Sequence, residues 1–346
     1  MAARAFITGL SGLTVSANER AFLREAQPWG LIIFKRNVNT QQQVSELTRS
    51  FRDTVGWQAP VLIDQEGGRV QRLGPPHWPA YPPGARYGAI YDRDVASGLA
   101  AARLAAHLIA ADLNVLGIDV DCLPLADVPA PGADPVIGDR AYGTEPAKVA
   151  AIAGAIAQGL LAGGVLPVLK HLPGHGRASA DSHHQLPVVD TDRATLESTD
   201  FAAFRPLAAL PLGMTAHVVF SAIDPDAPAT TSVTMVREVI RGFIGFKGLL
   251  MSDDVSMKAL SGTIAERSRA AFAAGCDVVL HCNGDLNEMA AVAGAAPGLA
   301  GEAATRAEAA LAQRSAPESF DAEAARKIFT QMVDAERPSS QRKIGS

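Results

Sequence analysis

The sequence predicts an α/β protein, a single (β/α)8 barrel of the TIM type with extra helices at its C-terminal end. Three observations carry this. Eight short apolar runs recur along the chain, helix-like stretches lie between them, and polar residues gather where the runs stop. Strands buried on both faces read as continuous apolar runs, as in a parallel sheet under helices. Strand–helix alternation eight times over points to closure of that sheet into a barrel.

The runs are, in order, AFITGL (5–10), GLIIF (30–34), VLIDQ (61–65), GIDVDC (117–122), LPVLKH (166–171), GMTAHVV (213–219), GLLMSDD (248–254) and CDVVLHC (276–282). Helix-like segments separate them, among them TQQQVSELTRSFRDTV (40–55), RDVASGLAAARLAAHLIAADLN (93–114) and AERSRAAFAAG (265–275). An open doubly wound sheet is the alternative. No GxGxxG or GxxxxGK[ST] follows the first strand, which weakens it. The alanine-rich stretch 300–335 reads as helices packed outside the barrel, and 336–346 as a frayed tail. Residues 1–335 are therefore expected to form one domain.

Composition agrees. Of 346 residues, 48% are hydrophobic and 19% charged, which suits a large buried core. A net charge of −5 argues against a nucleic-acid partner. Cys122, Cys276 and Cys282 are odd in number and in no CxxC spacing, so free thiols in a reducing compartment are expected. The start, MAARAFITGLSGL, reads as a first strand and not a signal peptide, because Thr8, Gly9 and Ser11 break its apolar run. No apolar stretch is read as reaching the ~20 residues that span a bilayer. A cytoplasmic location follows as an expectation.

Strand C-termini build the active-site mouth of such barrels, so the polar residues there are the first candidates. Asp64, Gln65 and Glu66 follow strand three, and Asp119 and Asp121 lie in strand four. Lys170 and His171 end strand five, His217 strand six, Asp253 and Asp254 strand seven, and His281 with Asn283 strand eight.

The loop KHLPGHGRASADSHHQLP (170–187) holds four of the eight histidines. Helical metal spacing is improbable, since Pro173 and Gly174 interrupt His171 and His175 while His183 and His184 are adjacent. A phosphate cradle lacks its lysine–Ser/Thr pair. Acid–base chemistry fits better. Asp181 stands two residues before His183, where a carboxylate can orient an imidazole and raise its pKa. The small residues Gly174, Gly176, Ala178, Ser179 and Ala180 would let the loop open and close. The complementary carboxylate is Asp253 or Asp254, and composition and spacing do not choose between them.

With those residues in view, LIDQEGGRVQRL (62–73), VIGDRAYG (136–143), the 170–187 loop, MTAHVVFSAIDPDAPATTS (214–232) and GLLMSDDVSM (248–257) resemble glycoside hydrolase family 3. The likeness is to its single-domain bacterial β-N-acetylglucosaminidases, the NagZ type, and runs from Phe6 to about Asn283. It implies a barrel enzyme without metal or organic cofactor, acting as a monomer on a small carbohydrate. The implied reaction removes terminal β-linked N-acetylglucosamine from 1,6-anhydro-muropeptides in peptidoglycan recycling. By the same resemblance Asp253 is the nucleophile, His183 the proton donor and Asp181 its partner. Asp64, Arg72, Arg140, Lys170 and His171 bind the sugar. Leu172 and Val255 stand where the family often has Phe and Leu. The role of Arg177 is open, and Gly67–Gly68 reads as a tight turn.

Three other readings share these residues. Phosphorolysis suits a neutral histidine donor, which repels phosphate less than a carboxylate would. In substrate-assisted catalysis the aspartates would orient the acetamido group. A sugar-binding regulator would be a barrel without turnover.

Overall fold

The computed structural model describes residues 3–182 and 184–334. Eight parallel strands close into a barrel: β1 (Arg4–Thr8), β2 (Pro28–Ile33), β3 (Val61–Ile63), β4 (Val120–Asp121), β5 (Leu166–Leu172), β6 (Leu212–Thr215), β7 (Leu249–Asp254) and β8 (Val278–His281). Each overlaps one of the eight apolar runs, and β1, β2, β5 and β6 reach one or two residues beyond theirs. Closure comes from β8 pairing with β1, in the register Phe6↔Val279 to Thr8↔His281.

Alternation along each strand divides two cores. Ala5 and Ile7, Val120 and Cys122, Leu166 and Val168, Leu212 and Met214, Leu249 and Met251, and Val278 and Leu280 belong to one buried cluster that fills the barrel. Their neighbours, such as Leu31, Ile33, Val61, Ile63 and Leu169, belong to a second cluster shared with the helices. Period-two alternation in a strand buried on both faces produces this division.

The helices are α1 (Ala17–Ala26), α2 (Gln41–Val55), α3 (Gly84–Arg93), α4 (Val95–Asn114), α5 (Pro146–Ala162), α6 (Arg193–Ser198), α7 (Ile264–Ala274), α8 (Leu286–Ala295), α9 (Gly301–Leu311) and α10 (Ala322–Asp334). A π-helical turn spans Met235–Phe243. Local sequence sets their ends. Ser16 with Glu19, and Thr263 with Glu266, form reciprocal capping boxes, and Gly56 and Gly275 end α2 and α7 in the left-handed region.

The expectation about membrane-spanning stretches needs one correction. Among the described residues, α4 is long and apolar enough to cross a bilayer by length and composition. Eight of its twenty residues are alanine. In the fold, Ala101, Ala102, Ala105, Ile109 and Leu113 are buried, and α4 packs on α3, α5 and α10. Residues 336–346, read as a tail, lie outside the described residues.

Candidate active site

Asp64 follows β3 and opens a short antiparallel hairpin, Gln65–Gly67 with Val70–Gln71. Gly67 and Gly68 turn it, with φ of 96° and 57°. A side chain at Gly67 would stand 2.4 Å from the Pro82 carbonyl, so both conformation and space require glycine. The buried Gln65 side chain holds the hairpin shut. Its Oε1 accepts the amides of Arg72 and Leu73, each at 2.9 Å, and its Nε2 donates to the Leu73 carbonyl at 2.8 Å. That brings Arg72 back over Asp64, with Nη2 3.0 Å from Oδ2.

Lys170, near the end of β5, inserts its ammonium between two carboxylates, 3.0 Å from Asp64 Oδ1 and 2.7 Å from Glu66 Oε1. Arg140, on the turn Gly138–Arg140, meets Glu66 through Nε and Nη2, each at 2.8 Å. Burial alone would raise the Asp64 and Glu66 carboxyls. Lys170 with Arg72, and Lys170 with Arg140, outweigh it, holding Asp64 below the carboxylate range and Glu66 at about 2. Burial would likewise lower Lys170, and the two carboxylates raise it instead.

His171, the next residue, places Nδ1 2.7 Å from Oδ2 of the fully buried Asp127. Asp127 Oδ1 accepts the backbone amides of His175 at 2.6 Å and His171 at 3.3 Å. Burial opposes ionisation of Asp127, but His171 and these bonds bring its carboxyl to about 2. An ionised carboxylate only accepts, so His171 Nδ1 carries the proton. His175 is buried, and burial together with His171 lowers it to about 4. Its Nε2 lies 3.1 Å from Ser182 Oγ.

Facing this wall, β7 delivers Asp253 and Asp254, and their surroundings differ. Asp254 Oδ2 accepts from the Ser256 hydroxyl at 2.6 Å. Its Oδ1 accepts the amides of Ser256 at 2.9 Å and Cys282 at 3.2 Å. Asp254 thus ties the end of β7 to the end of β8. Asp253 Oδ1 accepts the Asp254 amide at 2.7 Å, and both half-buried aspartates line the cavity. That cavity, of about 440 Å³, collects Asp64, Arg72, Arg140, Lys170, His171, Asp181 and Asp253. All the residues implied for the site are therefore brought together except His183, which lies outside the described residues. Asp181 Oδ2 is 3.9 Å from Nε2 of the exposed His184.

The model of the glycosyl hydrolase family 3 N-terminal domain matches residues 6–312. The chain belongs to glycosyl hydrolase family 3. It is, accordingly, a glycoside hydrolase. A protein named beta-hexosaminidase from Alkalilimnicola ehrlichii is 41% identical over 281 residues, covering 80% of this chain and 79% of that one. Another of that name from Aromatoleum aromaticum is 35% identical over 316 residues, covering 90% and 87%. The crystal structure of native NagZ from Neisseria gonorrhoeae superposes with a TM-score of 0.83 at 30% identity, covering 96% of this chain and 97% of that one.

Some polar residues of this family 3 barrel sit elsewhere than the sequence suggested. Asp119 precedes β4 and pairs with Arg52 at 3.1 Å and Arg314 at 2.9 Å; it does not line the cavity. His217 and His281 are fully buried in the framework. His217 Nε2 donates to the Asp254 carbonyl at 3.0 Å, and His281 Nε2 pairs with Glu288 at 3.0 Å. Asp121 is buried beneath the charged wall, and burial raises its carboxyl well above the ordinary value. Arg177 joins the buried Asp200 at 2.6 Å and Thr199 at 3.1 Å, anchoring the first half of the 170–187 loop. Leu172 and Val255 are fully buried, where one apolar residue can replace another.

Two contributors had no role assigned from sequence, Asp127 and Glu66. Asp127 stands in the apolar, proline-rich stretch LPLADVPAP (123–131), where an acid is costly without partners. That cost was the available signal.

Proposed function

We propose that this family 3 enzyme is a retaining exo-β-N-acetylglucosaminidase that removes terminal β-linked N-acetylglucosamine from 1,6-anhydro-muropeptides in cytoplasmic peptidoglycan recycling, acting as a monomer. The observation that carries the residue assignment is the division of labour at the end of β7. Both aspartates line the cavity opposite the charged wall, but Asp254 spends both oxygens on Ser256 and Cys282, in the service of the strand ends. The names of the relatives from Alkalilimnicola, Aromatoleum and Neisseria support the substrate class.

In this reading Asp64 accepts from sugar hydroxyls, and Arg72, Arg140, Lys170 and His171 donate to them. The Asp253 carboxylate attacks the anomeric carbon as the glycosidic C–O bond breaks, and His183, paired with Asp181, protonates the departing oxygen. His183 then takes a proton from water, which displaces Asp253 from the glycosyl ester and restores the β configuration. Two displacements give retention. The test is release of N-acetylglucosamine from a defined anhydro-muropeptide, compared in inert and phosphate buffers. The free β-sugar is expected in both. N-acetylglucosamine 1-phosphate as the main product would replace hydrolysis by phosphorolysis, and no turnover of any β-N-acetylglucosaminide would leave only a sugar-binding protein.

A further inference from the structure

Five charged side chains of the cavity form one continuous chain of contacts, Arg72–Asp64–Lys170–Glu66–Arg140. Four of the five are proposed sugar-binding residues. Glu66 is the fifth. Its side chain is 4% exposed, against 9% for Arg140 and 2% for Lys170. We infer that Glu66 is a positioning residue, which sets the plane of the Arg140 guanidinium and the place of the Lys170 ammonium for the sugar.

Geometry carries this. Arg140 comes from a turn in the long connection after β4, not from a strand. Besides Glu66, its side chain meets the Val136 carbonyl, with Nη1 at 3.1 Å. A bidentate carboxylate is what fixes a guanidinium in one orientation. Lys170 is shared between Asp64 and Glu66, so losing one carboxylate would draw its ammonium toward the other. Charge works the same way. Within this chain of contacts three cations face two carboxylates; without Glu66 they face one, and two buried cations lose their common counter-ion. Glutamine is a poor substitute, because it is uncharged and keeps one acceptor oxygen, while its NH2 presents donors to groups that only donate. Aspartate keeps the charge but is one methylene short of meeting both partners. The carboxyl, held at about 2, is ionised at any working pH.

The inference rests on the cavity being the sugar site, and the experiment separates the two. Steady-state kinetics on an aryl β-N-acetylglucosaminide and calorimetric binding of N-acetylglucosamine are measured for E66Q, E66D, R140M, K170M and E66Q/R140M, with unfolding midpoints alongside. E66Q is expected to lower kcat/KM by about 10²-fold, the scale of a misplaced binding group, and to weaken the sugar in parallel. E66D should recover part of both. In the R140M background the E66Q loss should shrink at least about fivefold, because the residue it acts through is gone. A purely structural role would cost the same in either background. E66Q within twofold of the parent, or an undiminished loss in the R140M background, would overturn the inference. If E66Q does not fold, E66D decides: weakened sugar binding at an unchanged midpoint supports positioning, and parental affinity refutes it. Unimpaired R140M and K170M would instead remove the sugar-site reading itself.

Discussion

The sharpest prediction concerns the two adjacent carboxylates at the end of β7. Asp253→Asn should abolish chemistry and spare the fold; Asp254→Asn should do the reverse in kind. Asparagine at 253 still offers a carbonyl oxygen to the Asp254 amide, the 2.7 Å contact present now, so the unfolding midpoint should stay within about 2 °C. It cannot form a glycosyl ester, and removing a nucleophile costs at least about 10⁴-fold in kcat. Asp254 is different, because it accepts three hydrogen bonds, two from Ser256 at 2.6 and 2.9 Å and one from the Cys282 amide at 3.2 Å that joins the β7 and β8 ends. Bonds to a charged acceptor are worth about 1.5–3 kcal/mol each, and to a neutral one about 0.5–1.5. Asparagine retains one acceptor, so a destabilisation of about 1–3 kcal/mol is expected. Activity should fall only through displaced geometry, by about 10–10²-fold. The assay pairs initial rates on an aryl β-N-acetylglucosaminide with calorimetric unfolding. An Asp253→Gly variant given azide should yield the glycosyl azide of inverted configuration. The assignment fails if Asp254→Asn is the more damaging of the two. Substantial residual activity in Asp253→Asn would favour the acetamido group as the attacking nucleophile.

Removal of His183 should slow glycosylation far more for the natural disaccharide than for a nitrophenyl glycoside, by about 10²–10⁴-fold, because a phenolate leaves without a proton; equal losses in single-turnover measurements would make His183 a binding residue. Stability should fall on the acid side. His175, depressed from 6.5 to about 4, stabilises fully above 6.5 and loses its contribution as pH falls toward 4. Glu66 and Asp127, depressed from 4.5 and 3.8 to about 2, add losses from those values downward, each on the order of 3 kcal/mol. An unfolding midpoint flat from pH 7 to 3 would contradict this. Prolonged treatment with a strong chelator should leave activity unchanged, and stoichiometric zinc lost together with activity would overturn the mechanism as written.

The barrel was legible because its strands are buried on both faces. Each of the eight apolar runs overlaps a strand, and the helix-like segments 40–55, 93–114 and 265–275 enclose or nearly match α2, α4 and α7. Strand ends were less legible. GIDVDC reads as one run, yet its strand is Val120–Asp121 alone. Asp119 falls before it and turns to Arg52 and Arg314. One residue of strand boundary thus moved a carboxylate out of the mouth. Polar residues just after an apolar run are site candidates in a barrel; polar residues at its start serve the framework.

The candidate site was proposed from motif and not from energetics. Neither aspartate of SDD could be preferred from spacing, because what separates them is the Ser256 hydroxyl and the Cys282 amide, the latter 28 residues along the chain. Glu66 was visible only as one more acid after strand three, beside Asp64. Its meaning needs Lys170 and Arg140, 104 and 74 residues away in sequence, to arrive at the same carboxylate. Asp127 likewise acquires a role only when β5 carries His171 past it. The missed residues share one property: none is proposed to touch the substrate, and each holds a residue that is. Such acids share no motif with the groups they serve, because they are paired through the fold and not along the chain. What marks them in sequence is cost. A carboxylate in an apolar stretch must find a cation or several N–H groups to remain charged, and in this protein Glu66 finds the cations and Asp127 a histidine and two amides. Ranking buried acids by the partners they would require, before asking which residues meet the sugar, is therefore the reading of sequence that would have reached both.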